Sequence, residues 1–134
     1  MTNNRVTSDK IVELEEHQIF VFGSNEFGWH GAGAAKMAVH FGAVIGVGFG
    51  MQGNTFAIPT KDWNVKTLPI EVIKFYVDRF LVFARNLPDL EFLVTAVGCG
   101  LAGYSTKDIA PLFKEAITIE NIHLPQSFWD ILLS

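Results

Sequence analysis

Short apolar runs alternate with helix-forming stretches along this sequence, and this alternation restricts the fold more than any other feature. Three runs have the length and the β-branched and aromatic content of buried strands: residues 18–23 (QIFVFG), 54–60 (NTFAIPT) and 91–97 (EFLVTAV). The segments between and after them favour helices: residues 31–41, 69–86 and 106–116. Strands alternating with helices predict an α/β protein with three α/β/α layers and a mixed, mostly parallel sheet.

The longest of these helices is also the best marked. Pro69 suits a first helical turn, and apolar residues recur after it at helical spacing. Ser105 and Asp108 form a capping box, which predicts that the third helix begins near residue 106. A last strand near residues 121–124 and a short helix containing Phe128 and Trp129 follow. The polar first 16 residues give no clear pattern.

Length and composition predict one domain in a reducing cytoplasm. The 134 residues suffice for one core, and 49% of them are hydrophobic against 18% charged, which excludes a disordered chain. No apolar run reaches the roughly 18 residues of a membrane span, and the N-terminal segment does not resemble a secretory signal. A single cysteine forms neither an internal disulfide nor a metal-ligand cluster, so we expect no metal and no cofactor. The net charge of −4 argues against broad electrostatic capture of nucleic acid.

Three loops follow the predicted strands, at the edge of the sheet where α/β proteins bind ligands. They are residues 24–31, 60–65 and 98–104. A glycine-dense segment, residues 42–53, lies outside these loops. Its glycines allow either a close backbone approach to a ligand or a mobile connection, and we favour the mobile connection.

The first loop enters its helix through small residues, which are Gly31, Ala32, Gly33 and Ala34. N–H groups at a helix start attract anions, and the lack of bulky side chains lets a phosphate approach. The stretch is not a P-loop, because no Gly-Lys-Ser/Thr follows, and Lys36 replaces the third glycine of a dinucleotide fingerprint. A phosphate site and a simple tight turn explain it equally well.

The last loop, VGCGLAGY, matches G-x-G-x-x-G between a strand and a helix. That fingerprint belongs to a first βαβ unit with its acid at the end of the next strand, whereas Glu120 precedes its strand. We therefore disfavour a dinucleotide fold. Cys99 within the loop would need a base to act as a nucleophile, and no histidine is assigned to it by the sequence. We interpret Cys99 as a small residue that fills the turn.

The loops in this order resemble those of the macrodomain family, which binds ADP-ribose. The likeness rests on SNEFGWHGAGAAK followed about seventy residues later by VGCGLAGY, and it covers roughly residues 18–116. It implies one macrodomain-like domain over residues 1–134, with residues 1–16 as a partly ordered extension, and ADP-ribose or an ADP-ribosylated macromolecule as partner. The ligand-binding positions that it implies are His30, Gly31, Ala32, Gly33, Ala34, Gly98, Cys99, Gly100, Leu101, Ala102, Gly103 and Tyr104.

The middle loop is similar to the segment that carries the catalytic lysine in two enzyme branches of this family. IPTKDWN, residues 58–64, resembles the segment of macrodomains that remove ADP-ribose from thymidine in DNA, and of others that remove it from acidic protein side chains. The resemblance implies that Lys61 and Asn25 are the catalytic residues, with Asn25 on the ribose side. The protein-acting branch has an aspartate where this chain has Ala102, so the likeness leans to the DNA-acting branch. Modified nucleic acid is therefore a possible substrate.

An amine suits this chemistry, because the anomeric carbon of ADP-ribose is electrophilic. An uncharged Lys61 could attack that carbon, whereas a charged one would stabilise developing negative charge. The resemblance leaves two other functions open, a non-catalytic ADP-ribose-binding module and a phosphatase acting on ADP-ribose 1″-phosphate.

Aromatic residues of the loops have alternative roles. His30 is expected either to contact phosphate or to be a capped surface residue. Trp29 and Trp63 can stack on a base or serve as ordinary packing, and packing is slightly favoured. The resemblance places Tyr104 beside the distal ribose. Macrodomains usually begin with a strand that carries an aspartate which binds adenine. Only a few acidic residues precede residue 25 in this sequence, and none of them is clearly the equivalent of that aspartate.

Overall fold

One mixed sheet forms the middle layer of the computed structural model, which describes residues 4–100 and 102–134. Its strands in the described chain are β1 (Val6–Thr7), β2 (Gln18–Asn25), β3 (Gly50–Gln52), β4 (Thr55–Lys61), β5 (Glu91–Val94) and β6 (Ile122–Pro125). Their spatial order is β1-β6-β5-β2-β4-β3, and neighbours run parallel except β3 and β4. The predicted mixed, mostly parallel sheet is confirmed.

Helices lie on both faces of this sheet. They are α1 (Gly33–His40), α2 (Ile70–Arg85), α3 (Thr106–Ile109) and α4 (Gln126–Leu132), with a 3₁₀ segment over Ala110–Thr118. Successive side chains of a strand point to opposite faces. Phe20 and Phe22 of β2 join α1 in one apolar cluster, whereas Ile19 and Val21 join α2, α4 and the 3₁₀ segment in the larger core. The three predicted layers are therefore present.

The helices agree with the sequence pattern except near residue 110. The buried positions of α2 are the expected ones, Ile73, Val77, Phe80, Leu81 and Ala84. The capping box is also present, since the Ser105 N–H donates to Asp108 Oδ2 at 3.1 Å. The prediction of one helix over residues 106–116 is wrong, because α3 ends at Ile109 and a 3₁₀ segment with non-helical backbone at Phe113 follows. Pro111 accounts for the change, since it brings no N–H to an α-helical ladder.

Arg5 ties the N-terminal strand to the C-terminal part of the chain. Its guanidinium donates to the carbonyl oxygens of Ile117 and Ile119 at 2.8 and 2.6 Å. The same group lies 5.0 Å from the centre of the Trp129 ring, and Trp129 Nε1 donates to the Arg5 carbonyl oxygen at 2.7 Å. The expected N-terminal extension thus includes a strand of the sheet. In the described part of the chain, no helix combines the length and apolarity needed to cross a membrane.

Candidate functional site

The three predicted loops meet around a cavity of about 390 Å³. Strands β5, β2 and β4 are adjacent and parallel, so their carboxyl ends lie side by side at one edge of the sheet. The largest side chains of the lining are those of Trp29 and Lys61, followed by the two valines Val65 and Val97, and most of the others are glycine or alanine. A second hollow of about 650 Å³ lies on the outer side of α2, and none of the three loops lines it. The first cavity is therefore the candidate site.

Most of the residues singled out in the sequence line this cavity: Asn25, Gly31, Ala32, Gly33, Ala34, Lys61, Gly98, Gly100 and Ala102. Four others do not line it: His30, Cys99, Gly103 and Tyr104. Leu101, also predicted, lies outside the described residues. The cavity is also lined by Gly23, Thr60 and Val65, which the sequence motifs did not single out. Gly23 is the last residue of a predicted strand, and Thr60 and Val65 are the first and last residues of the predicted middle loop. Their positions beside the motifs could therefore have indicated that they line the cavity.

The start of α1 offers backbone donors to the cavity. The first N–H groups of any α-helix have no acceptor within the helix. Here the residue at the N-cap is Ala32, whose methyl group cannot accept a hydrogen bond, and the first turn has no acidic residue. The N–H groups of Gly33, Ala34 and Ala35 therefore lack a side-chain cap at a wall made of small residues. Such a helix end attracts a negatively charged group.

A second set of backbone groups belongs to the loop after β5. Gly98 has φ +77, and its carbonyl oxygen accepts the Tyr104 N–H at 3.0 Å, which closes the loop. The Gly103 N–H donates to Gly100 in the same way, at 3.0 Å. A Cβ placed on Gly23 of β2 would lie 3.5 Å from the Gly98 nitrogen. Bare backbone from β2 and from the loop after β5 therefore forms the floor of the cavity.

Lys61 is the one charged residue among the described residues that line the cavity. It ends β4 and pairs with Asn25 of β2 after a shift of register at Ser24. Its carbonyl oxygen accepts the Glu26 N–H at 2.9 Å. Its ammonium group forms no ion pair within the described part of the chain. The amine is therefore available to a ligand, on a backbone that is fixed by two strands.

The side chain of Asn25 holds the first loop in shape. Its Oδ1 accepts the Trp29 N–H at 2.7 Å, and its Nδ2 donates to the Trp29 carbonyl oxygen at 2.8 Å. The residue is buried but still lines the cavity. One amide hydrogen and one lone pair stay available for a ligand. The arrangement favours a positioning role for Asn25 over the predicted catalytic one.

The placement of His30 supports neither role predicted for it. Its ring is buried and packs edge-on against Phe22, with ring centres 5.2 Å apart. The Nε2 atom is 3.1 Å from the Val44 carbonyl oxygen, and Nδ1 has no partner among the described residues. Burial lowers the pKa of His30, and the hydrogen bond with Val44 opposes this shift. His30 is thus a neutral core residue behind the cavity, rather than a phosphate ligand or a surface group.

Two predicted residues of the last loop face away from the cavity. Cys99 is half-buried, and its thiol lies 3.6 Å from the Val97 carbonyl oxygen. Burial raises the pKa of Cys99, which keeps it a protonated and weakly nucleophilic thiol. Tyr104 packs on the core, and its hydroxyl donates to the Leu68 carbonyl oxygen at 2.7 Å. In this structure both side chains support the loop.

The glycine-dense segment packs directly behind the first loop. The Gly46 N–H donates to the Gly28 carbonyl oxygen at 2.9 Å, and Ser24 Oγ donates to the Gly48 carbonyl oxygen. A Cβ on Gly28 would lie only 2.3 Å from the Val47 nitrogen. The glycines of this segment therefore allow a close backbone approach to the first loop, a contact that neither of the two sequence-based alternatives included.

Helix α2 also supports this end of the sheet. The Tyr76 hydroxyl donates to Glu26 Oε2 at 2.6 Å, and the Tyr76 ring packs against Phe49, with centres 5.2 Å apart. Burial, followed by the hydrogen bond with the Glu26 carboxylate, raises the pKa of Tyr76 to about 12. The Glu26 N–H also donates to the Lys61 carbonyl oxygen. The contact between Tyr76 and Glu26 therefore links α2 to Lys61.

Both tryptophans of the loops are exposed, which contradicts the slight preference for packing. Trp29 lines the cavity and is 57% exposed. Trp63 is 70% exposed and stacks on Phe27, with ring centres 5.9 Å apart. The exposed ring of Trp29 at the cavity can receive a planar group.

No family model, no curated protein and no solved structure matches the chain. The resemblance to macrodomains therefore stays a prediction that rests on the three loops.

Proposed function

We propose that the protein binds ADP-ribose and hydrolyses an ADP-ribosyl linkage on a nucleic-acid base or on a protein. One observation carries the proposal: the uncapped start of α1, the Gly98 loop and the Lys61 side chain meet around a single cavity. A diphosphate requires several donors and little side-chain bulk, whereas cleavage of a glycosidic bond requires a group that acts on the leaving atom. The two sides of the cavity match these two requirements.

The diphosphate is proposed to lie between the first turn of α1 and the Gly98 loop. Gly33 and Ala34 bring free N–H donors and the positive end of the helix dipole to one side. The backbone at Gly98 and Gly100 lines the other side. A hydrogen bond to a charged group contributes about 1.5–3 kcal/mol, so a few such donors suffice without a basic side chain. This agrees with a chain whose net charge is −4.

Lys61 is the residue that we assign to catalysis. In hydrolysis the oxygen of a water molecule bonds to C1″ of the distal ribose. The bond from C1″ to the leaving atom breaks, and its electron pair stays on that atom. The Lys61 ammonium donates a proton to the leaving atom, and the water gives up a proton that restores the ammonium. The products are free ADP-ribose and the unmodified base or side chain.

The proposal is tested by release of ADP-ribose from modified single-stranded DNA and from modified protein. Replacing Lys61 with alanine should lower turnover about 100-fold or more, which is typical of a lost proton donor. The affinity for ADP-ribose should change little, because the variant keeps every backbone donor of the diphosphate site. Lys66→Ala is the matched control, since the Lys66 backbone closes the same loop by a hydrogen bond with Asp62 but Lys66 does not line the cavity.

The results separate the candidate functions. If the wild type binds ADP-ribose but releases it from neither substrate, the non-catalytic binding module is correct. The hydrogen bonds from Asn25 Oδ1 and Nδ2 to the Trp29 backbone favour this second candidate, because they give Asn25 a structural role and leave Lys61 as the one candidate for catalysis. If Lys61→Ala turns over as fast as the wild type, another residue is the catalyst. Phosphate release from ADP-ribose 1″-phosphate would support a phosphatase, and tighter binding of NAD than of ADP-ribose would support a dinucleotide site.

A further inference from the structure

Val65 has a backbone conformation that glycine normally takes. Its φ is +61, and it is the non-glycine residue with positive φ in the described part of the chain. A side chain branched at Cβ is crowded there. Val65 ends a tight loop in which the Asp62 N–H donates to the Lys66 carbonyl oxygen at 2.8 Å and the Val65 N–H to the Asp62 carbonyl oxygen at 3.1 Å. Three-residue loops of this kind usually place glycine at the last, left-handed position.

The loop around Val65 is held firmly, so the strained conformation is maintained by its neighbours. Asp62 Oδ1 accepts the N–H groups of Asn64 and Lys66 at 2.8 and 2.9 Å. Lys61 pairs with Thr67 across the base of the loop. These contacts involve side chains and backbone on either side of Val65 but not its own side chain. The valine side chain is therefore not what shapes the loop.

The core does not explain the valine either. Val65 is 49% exposed, and its side chain lines the same cavity as Lys61. A strained residue that stabilises neither its loop nor a core points to a role in ligand contact. Lys61 ends β4 and Val65 follows it, whereas the proposed diphosphate site lies at the ends of β2 and β5. A ligand group next to Val65 is therefore the one on which Lys61 would act.

We propose that Val65 is a specificity-determining residue, whose isopropyl group packs against the distal ribose of ADP-ribose. This inference rests on the proposed function. The valine provides an apolar wall beside the amine, at the expense of backbone strain that glycine would relieve. It follows that ligands with a distal ribose gain affinity from Val65, and that ligands without one do not.

Three variants test this: Val65→Gly removes the side chain, Val65→Asn replaces it with a polar group tolerant of positive φ, and Val65→Ile keeps an apolar branched group. We measure the thermal unfolding midpoint without ligand, and the affinity for ADP-ribose and for AMP by calorimetry. Val65→Asn should raise the midpoint by about 2–5 °C, because the strain is relieved. We expect about tenfold weaker binding of ADP-ribose by Val65→Gly and Val65→Asn. Their affinity for AMP should equal that of the wild type, because AMP lacks the distal ribose. Val65→Ile should keep the wild-type affinity for ADP-ribose.

The possible outcomes are distinguishable. Wild-type affinity for ADP-ribose in Val65→Gly and Val65→Asn overturns the assignment of Val65 alone. An equal loss of ADP-ribose and AMP affinity also overturns it, because the side chain would then shape the cavity without contacting the ribose. If the wild type itself binds no ADP-ribose, the proposed function is overturned together with this inference.

Discussion

Replacing Gly23 with alanine should weaken ligand binding without weakening the fold. Gly23 lies within β2, where it pairs with Ile58, and its backbone does not have positive φ. The added Cβ would lie 3.5 Å from the Gly98 nitrogen and 3.5 Å from Thr60 Cγ2, which are ordinary contacts. Glycine in a strand is about 0.5–1 kcal/mol less stable than alanine. The free energy of unfolding should therefore stay equal or rise by up to this amount.

The expected loss of ADP-ribose affinity in Gly23→Ala follows from the position of the new methyl group. It would lie over the Gly98 amide, on the floor of the cavity, and would separate that backbone from a bound phosphate. The loss of one hydrogen bond to a charged group costs about 1.5–3 kcal/mol. We therefore expect the affinity for ADP-ribose to fall about 10- to 100-fold. Isothermal calorimetry measures the affinity, and urea unfolding measures the stability.

Gly28→Ala provides the opposite control. Gly28 does not line the cavity, has φ +79, and a Cβ there would lie 2.3 Å from the Val47 nitrogen. This variant should lose about 2 kcal/mol or more of unfolding free energy. If Gly23→Ala binds ADP-ribose as tightly as the wild type, the diphosphate does not lie over Gly98. If Gly23→Ala is destabilised as strongly as Gly28→Ala, β2 has no room for a methyl group at position 23, contrary to the 3.5 Å contacts given above.

Two further variants test the roles of side chains behind the cavity. Cys99→Ser should leave ADP-ribose binding and turnover nearly unchanged, because the thiol faces away from the cavity, and a large loss of turnover in a folded variant would contradict this. Tyr76→Phe tests the contact with Glu26 through the pH dependence of stability. Since the pKa of Tyr76 is about 12 in the folded chain and about 10 when unfolded, its contribution is complete below pH 10 and is lost as the pH rises through 12. The wild type should therefore lose more stability than Tyr76→Phe over this alkaline range, and an equal loss in both would argue against the contact.

The layers of the fold could be predicted because each element leaves a periodic pattern along the sequence. The buried face of α2 and the capping box at Ser105 are of this kind. The 3₁₀ segment after Ile109 could also have been anticipated, since Pro111 is visible in the sequence. The three loops meet where they were predicted to meet, because parallel neighbouring strands end at the same edge.

The directions of individual side chains could not be predicted in the same way. His30 turns to the Val44 carbonyl oxygen, 14 residues away, and Tyr104 to that of Leu68, 36 residues away. Contacts over such separations depend on how whole elements pack, and no local pattern encodes them. The amide of Asn25 differs, because its partner Trp29 is four residues away. Asparagine often bonds nearby backbone in loops, so this contact was within reach of sequence reasoning.

Because Ala32 provides no side-chain cap, the order of the first turn of α1 should depend on the anions present in solution. A helix closed by its own side chain keeps the same first turn in any buffer, whereas this one can be completed only from outside. Its first turn should fray in water and become ordered when an anion arrives. Hydrogen–deuterium exchange at Gly33 and Ala34 then reports occupancy of the cavity directly, while the amide of Phe80 in α2 serves as an internal reference. Candidate ligands can therefore be screened by the exchange rate of these two amides, without knowledge of the reaction.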